Sequence, residues 1–235
     1  MPINNIDVEF SIDLISDLNL LKEDKFDWTD KPTSLFCVIA GNISTDLSIV
    51  KKTLLHLSSL YKAVFFIDGK LEHNKLKDYD ESVQKISDIC VNIPNVIYMH
   101  KHVVVLNGMA FVGANCWFND DVEAITVQDE VKLESLRIGD LGYLGKTIKV
   151  LQLHNDVKKI VVFTSTAPAE ELTFKTINVS GPEPEMSLIM DTERKVVHWL
   201  FGGSEISIDC DRNNRRYTNN PKIKDQIYWP KRIVI

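Results

Sequence analysis

The chain has 235 residues, 44% of them apolar and 26% charged, which suits one packed domain over residues 1–235 and excludes compositional disorder. A net charge of −6 is unfavourable for binding driven by phosphate charge, and no run approaches the ~18 apolar residues of a membrane span. The opening MPINNIDVEF lacks a basic stretch followed by an apolar one, so no signal peptide is expected and the expected setting is the cytoplasm.

Residues 8–15 (VEFSIDLI) read as a strand, and 34–40 (SLFCVIA) as a second one stopped by Gly41. Leu47, Val50, Leu54, Leu57 and Tyr61 recur at helical spacing, so a helix is expected over 45–61, capped by Ser44 or Thr45. AVFFI at 63–67 is a third strand, and 78–90 a second helix with Val83, Ile86, Ile89 and Cys90 inward. This alternation implies parallel strands covered by helices. VIYMH, KHVVVL and MAFVGANCW then follow closely, with Asn107-Gly108 as a two-residue hairpin signal. Helical periodicity returns over 121–156, with Gly-Tyr-Leu-Gly at 142–145 expected as a loop between two helical stretches. KKIVVFT at 158–164 is another buried strand, and 175–190 is a loop before a short helix. KVVHWLFG, SEISIDC and RIVI read as three further strands. The whole is an α/β chain with two sheets.

Metal and nucleophile motifs are scarce. Cys37, Cys90, Cys116 and Cys210 form no CxxC pair and are expected as buried, reduced thiols. There is no GxGxxG, no GxxxxGK[ST] and no GxSxG. Asn-Ile-Ser at 42–44 and Asn-Val-Ser at 178–180 match a glycosylation sequon, which carries little weight without a secretory signal. Arg212, Arg215, Arg216, Lys222, Lys224, Lys231 and Arg232 make a basic tail with interleaved aromatics, diluted by aspartates 209, 211 and 225. It offers weak support for nucleic-acid binding and reads better as a solvated or protein-binding face.

Five loops after apolar strands carry a series: ISDLNL, VIAGNIS, FFIDGKLEHN, VVFTSTAPA and WLFGGSE. Their order and context resemble the calcineurin-like metallophosphoesterases, which read roughly SDLHL, AGD, GNHE, THHAP and GHTH at these places. The segment FVGANCWFND and the tail RNNRRYTNNP extend the resemblance over about residues 8–235. It implies a two-sheet metallophosphoesterase-like sandwich flanked by helices. In that family two metal ions, held by carboxylates, imidazoles and an Asn amide, polarise a phosphate and generate hydroxide.

Taken position by position, the chemistry does not carry over. Asp17 is kept, but Asn19 stands where a histidine belongs and Asn42 where the bridging aspartate belongs. Lys70 and Leu71 replace the metal-binding Asn and the catalytic histidine, while Glu72 is kept. Ser165 and Thr166, then Gly203 and Glu205, replace two histidine pairs. A neutral amide does not supply charge to hold two dications, and a lysine competes with a metal. The resemblance therefore implies a vestigial site with no catalytic residue, no bound metal and no cofactor. Lys70 is expected to bring its charge toward Asp17, with Asn19 or Asn42 completing the hydrogen bonds.

The expected function is a catalytically inactive binding or assembly module, with a virus or phage as one setting and the host cytoplasm or virion as its location. A protein partner or self-association is expected, with Tyr228 and Trp229 as the candidate interface. The alternatives are a nucleic-acid binder and a residual one-metal phosphodiesterase using Asp17, Asp68, Glu72, His73 or Glu205. Otherwise His73 reads as a solvated loop residue, Asp68 as a turn former, and His100, His102 and His198 as structural.

Overall fold

The computed structural model describes residues 10–76, 79–116, 127–168, 191–212, 214–224 and 226–235. Strands β1 (Ser11–Ser16), β2 (Phe36–Ala40), β3 (Ala63–Ile67) and β4 (Val96–Tyr98) run parallel in one sheet. The second sheet is ordered β5 (His102–Leu106), β6 (Met109–Gly113), β7 (Lys159–Thr164), β8 (Val196–Phe201), β10 (Arg215–Asn219), β9 (Asp209–Arg212). Its inner strands are parallel, and β5 and β9 run antiparallel at the edges. The last strand, β11 (Lys231–Val234), returns to the first sheet and pairs antiparallel with β1.

The apolar runs lack polar breaks because both faces of each sheet are covered. Alternate residues point to opposite faces. Leu14, Val38 and Phe65 therefore meet Phe111, Phe163 and Leu200 across the gap between the sheets. Ile15, Cys37, Ile39 and Phe66 point the other way, onto α1 (Leu47–Ser58) and α2 (Tyr79–Val91) through Val50, Leu54, Leu57 and Ile86. The far face of the second sheet, with Val112, Val162 and Trp199, packs on α3 (Val127–Leu153) through Leu144, Ile148 and Leu151. The result is a helix–sheet–sheet–helix sandwich. None of the helices among the described residues is long and apolar enough to cross a membrane.

Several local expectations change. The cap of α1 is Asp46, whose carboxylate accepts from Ser48 N at 2.8 Å; Ser44 instead donates to Leu20 O at 2.7 Å. The stretch at 142–145 is no loop: α3 runs through both glycines. Each costs about 1 kcal/mol against alanine, but Leu144 and Ile148 stay on the buried face and keep the helix whole. The strand expected over SEISIDC begins only at Asp209, because Ser204 turns back on itself through Ile206. The hairpin at Asn107-Gly108 forms as read, with both residues at positive φ (51° and 77°). All four cysteines are free and buried. The loop and short helix expected over 175–190, with the sequon at 178–180, lie outside the described residues.

The two sheets converge at the carboxyl ends of β2 and β8. A Cβ on Gly202 would lie 1.9 Å from Ala40 O, so backbone meets backbone there. This contact sets the spacing of the loops after β1, β2, β7 and β8. Gly202→Ala must push the sheets apart. It is expected to lower the unfolding free energy by about 3 kcal/mol, at the upper end of the usual overpacking cost, as measured by urea denaturation. A change below about 0.5 kcal/mol would show that the convergence is not rigid.

Candidate functional site

The loops after β1, β2, β3 and β8 open into one cleft of about 470 Å³. Seven of the ten positions singled out from sequence line it: Asp17, Asn19, Asn42, Lys70, Leu71, Gly203 and Glu205. The other three lie behind it. Ser165 and Thr166 are buried, and their hydroxyls donate to the backbone carbonyls of Asn115 (3.2 Å) and Cys116 (2.6 Å) respectively. Glu72, also buried, turns its carboxylate into the loops rather than into the cleft.

The backbone around the cleft is held in an unusual conformation. Asp17, Asn19 and Asn42 have φ of 51°, 47° and 58°, in the left-handed region. Asp and Asn are among the side chains that tolerate it best. Gly41, at φ 74°, has no room for a Cβ, which would meet Ser165 Cβ at 2.9 Å. Cross-loop hydrogen bonds fix this geometry: Asp17 N to Gly41 O (3.2 Å), Asn19 N to Asn42 O (3.0 Å) and Leu20 N to Ile43 O (2.7 Å).

Glu72 is the central acceptor. Its Oε1 takes the N–H of Ile43 (2.6 Å) and Ser44 (3.2 Å), and its Oε2 those of Gly69 (2.7 Å) and Asn42 (3.1 Å). Burial pushes its pKa up to about 7, against these donors, which favour the anion. Above it, the Asn42 side chain is oriented by two partners. Its Nδ2 donates to Asp17 Oδ1 at 2.8 Å, and its Oδ1 accepts from Leu71 N at 3.3 Å. Gly203 N donates to the same Asp17 oxygen at 2.9 Å. Asn19 does not reach the Asp17 carboxylate in this way; its amide donates to the Asp17 carbonyl at 3.0 Å.

This donor set does not fit a pair of metal ions. Asp17 and Glu205 are the carboxylates among the described lining residues, and Asp17 Oδ1 already accepts from two N–H donors. All six histidines of the chain lie among the described residues, and none lines the cleft. Among the described residues, no group of three or more His, Cys, Asp or Glu side chains is placed to hold a metal.

The cleft also contains Ser204, next to Gly203 in the loop after β8, and four residues that sequence reading did not attach to it: Pro221, Lys222, Ile223 and Lys224, all beyond β10. They arrive because the segment after β10 folds over the end of β1. Ser16 N donates to Asn220 O (3.0 Å), Lys222 N to Ser16 O (3.3 Å), and Asn220 Nδ2 to Leu14 O (2.9 Å). Tyr228 fastens this segment: its hydroxyl accepts from Ser16 N at 3.1 Å and donates to Asn220 O. Tyr228, expected at an interface, is thus a half-buried anchor of the chain's own fold, while Trp229 beside it is 53% exposed. The basic tail is similarly thinned. Arg215 is buried against Asp191 (2.6 Å), Arg212 is buried, and Arg216 and Lys231 both bind Asp209 (2.6 and 2.9 Å).

Beneath the loops lies a second polar group that sequence reading took for surface. Asp68 is fully buried and is no turn former: its Oδ2 meets His73 Nε2 and accepts from Asn115 Nδ2 at 3.0 Å. His73 is buried rather than solvated and reaches Ser82 Oγ on α2 through Nδ1. His100 Nδ1 lies 3.8 Å from Asp68 Oδ1. Burial raises the pKa of Asp68, but the facing imidazoles of His100 and His73 outweigh it and hold the carboxyl well below the usual range. For His100, burial pulls the pKa down, and Asp68 and Asp140 more than reverse this, so it is raised.

No family model matches the chain. It is 23% identical over 223 residues to an uncharacterized protein of Acanthamoeba polyphaga mimivirus, covering 81% of this chain and 78% of the other. Among solved structures it is similar to the phosphopantetheinyl hydrolase of Mycobacterium tuberculosis, with a TM-score of 0.64, 13% identity and 96% of each chain covered. It is also similar to GAP50, the anchor in the inner membrane complex of Plasmodium, with a TM-score of 0.53, 9% identity, and 90% of this chain and 71% of that one covered. The fold is a metallophosphoesterase-like α/β sandwich. At these identities the likeness speaks to fold alone.

The buried pair has a pH signature. The lowered pKa of Asp68 gives stability that is complete above its unfolded value of ~4 and is lost as pH falls through the folded value. The raised pKa of His100 gives stability that is complete below ~6.5 and is lost as pH rises through its folded value. Asp68→Asn is expected to cost roughly 3 kcal/mol near neutrality. It should also flatten the acid limb of the stability–pH curve and lower the His100 titration midpoint seen by NMR. A parallel downward shift of the whole curve, with His100 unmoved, would separate these groups.

Proposed function

We propose that this chain is a non-catalytic protein built on the metallophosphoesterase-like fold, serving as a binding or assembly module in a viral setting. The observation that carries the reading is the Asn42 amide, which donates to Asp17 where the resemblance places a bridging carboxylate. A donor at that position stabilises the Asp17 carboxylate without a cation. Leu71 and Gly203 offer no group for proton transfer or metal binding, and Glu72 is spent on the loop backbone.

The residual one-metal alternative loses most of its ligands by position. Asp68 and His73 are engaged with each other, and neither is among the described lining residues of the cleft. The mimivirus relative supports the viral setting, and the description of GAP50 as an anchor gives a precedent for this fold in assembly.

The test is hydrolysis of bis-(p-nitrophenyl) phosphate by the full chain with manganese, nickel or zinc. The rate is expected to match that of Asp17→Ala, because the several kcal/mol supplied by metal polarisation are absent. Metal-stimulated turnover that disappears in Asp17→Ala would overturn the reading.

A further inference from the structure

We propose that the cleft and the smaller cavity beside it form one groove for a short acidic segment of a partner protein, in which carboxylates alternate with apolar residues. This takes the chain as a binding module and names the chemistry of what it binds. The second cavity, of about 240 Å³, shares Lys222 with the first. Together they are lined by five lysines, at 25, 31, 70, 222 and 224, against three carboxylates, at 17, 27 and 205. That balance reverses the sign of the whole chain, whose net charge is −6. Asp24 lies 3.8 Å from Lys222, an ion pair of small worth near the surface.

The distribution of donors selects the class of anion. A compact phosphate is best held by convergent backbone N–H groups. Here the loop amides of Asn42, Ile43, Ser44 and Gly69 are consumed by Glu72, and that of Gly203 by Asp17. Lys31 donates to Tyr228 O at 2.9 Å, and the ammonium groups of Lys25, Lys222 and Lys224 are spread over the linings of the two cavities, a spacing suited to carboxylates at intervals. The apolar lining supplies the other half of the match. Leu18 and Leu20 floor the second cavity, Phe26 is half-buried beside them, and Ile227 is 84% exposed at its edge. Ile223 does the same in the first. Nucleic acid fits less well, because its unbroken backbone charge would face Glu205 and Asp27, and Trp28 is buried with its ring stacked on Phe26 rather than open to a base.

Fluorescence anisotropy on the full chain tests this with three probes. They are a labelled peptide of aspartate, glutamate, leucine and serine; the same peptide with asparagine and glutamine for its acids; and a single-stranded oligothymidylate. The acidic peptide is expected to bind at least about tenfold tighter than its neutral counterpart and to weaken with salt. Lys222→Glu with Lys224→Glu should weaken it about tenfold, and Glu205→Lys should tighten it. The gain in Glu205→Lys keeps the result readable if the double variant folds poorly. Equal binding of the two peptides, no response to either variant, or tighter binding of the oligothymidylate would overturn the assignment. Hydrolysis scored on the same preparation separates the two readings. Turnover would defeat the non-catalytic one, whereas inert protein that ignores the acidic peptide would defeat only the choice of partner.

Discussion

Everything at the cleft depends on one buried carboxylate. Glu72 accepts four backbone N–H groups from the loops after β2 and β3. Those donors are buried and would each cost about 1–3 kcal/mol if left unmade. Because both loops terminate on the same side chain, the end of β2 is locked to the end of β3. Asn42 is thereby placed with its amide toward Asp17, and the left-handed conformations at 17, 19 and 42 are held by contacts within the protein. On the proposed reading these contacts keep the loops in shape without an ion.

On that reading the cleft serves a purpose other than metal chemistry. A carboxylate cluster without metals would suffer mutual repulsion and lost solvation. The residues present remove the problem: Asn42 is neutral and donates, Gly203 donates from its backbone, and Lys70 lines the same cavity. The C-terminal segment then adds Lys222 and Lys224 to the rim, pinned there by the Tyr228 hydroxyl against β1. The cleft is thus lined by three lysines, at 70, 222 and 224. The Asp68 network beneath it braces β3 against α2 and the loop after β6, and leaves the cleft chemistry to others.

Sequence carried the layers well. Runs such as AVFFI and KIVVFT have no alternative to a strand covered on both faces, and Asn107-Gly108 dictates its hairpin. The motif series also brought seven distant positions to one cleft. What it missed depends on contacts with no local signature. Gly142 and Gly145 look like breakers until Leu144 and Ile148 are seen to be fully buried. His73 and Asp68 are ordinary loop residues by composition, and only the packing of α2 and the Asn115 loop buries them. Tyr228 and Trp229 are adjacent aromatics of similar character, yet one is tied to β1 and the other faces solvent. Nothing in a linear pattern separates them.

The central claim is that hydrogen bonds within the protein have taken the place of metal ions at this site. Thermal unfolding of the full chain, in chelator and in saturating manganese or zinc, tests it most directly. A ligand that binds the folded state must raise the midpoint. The same midpoint is expected in all three conditions, and the same indifference in Asp17→Ala. A rise of several degrees with metal that vanishes in Asp17→Ala would contradict it.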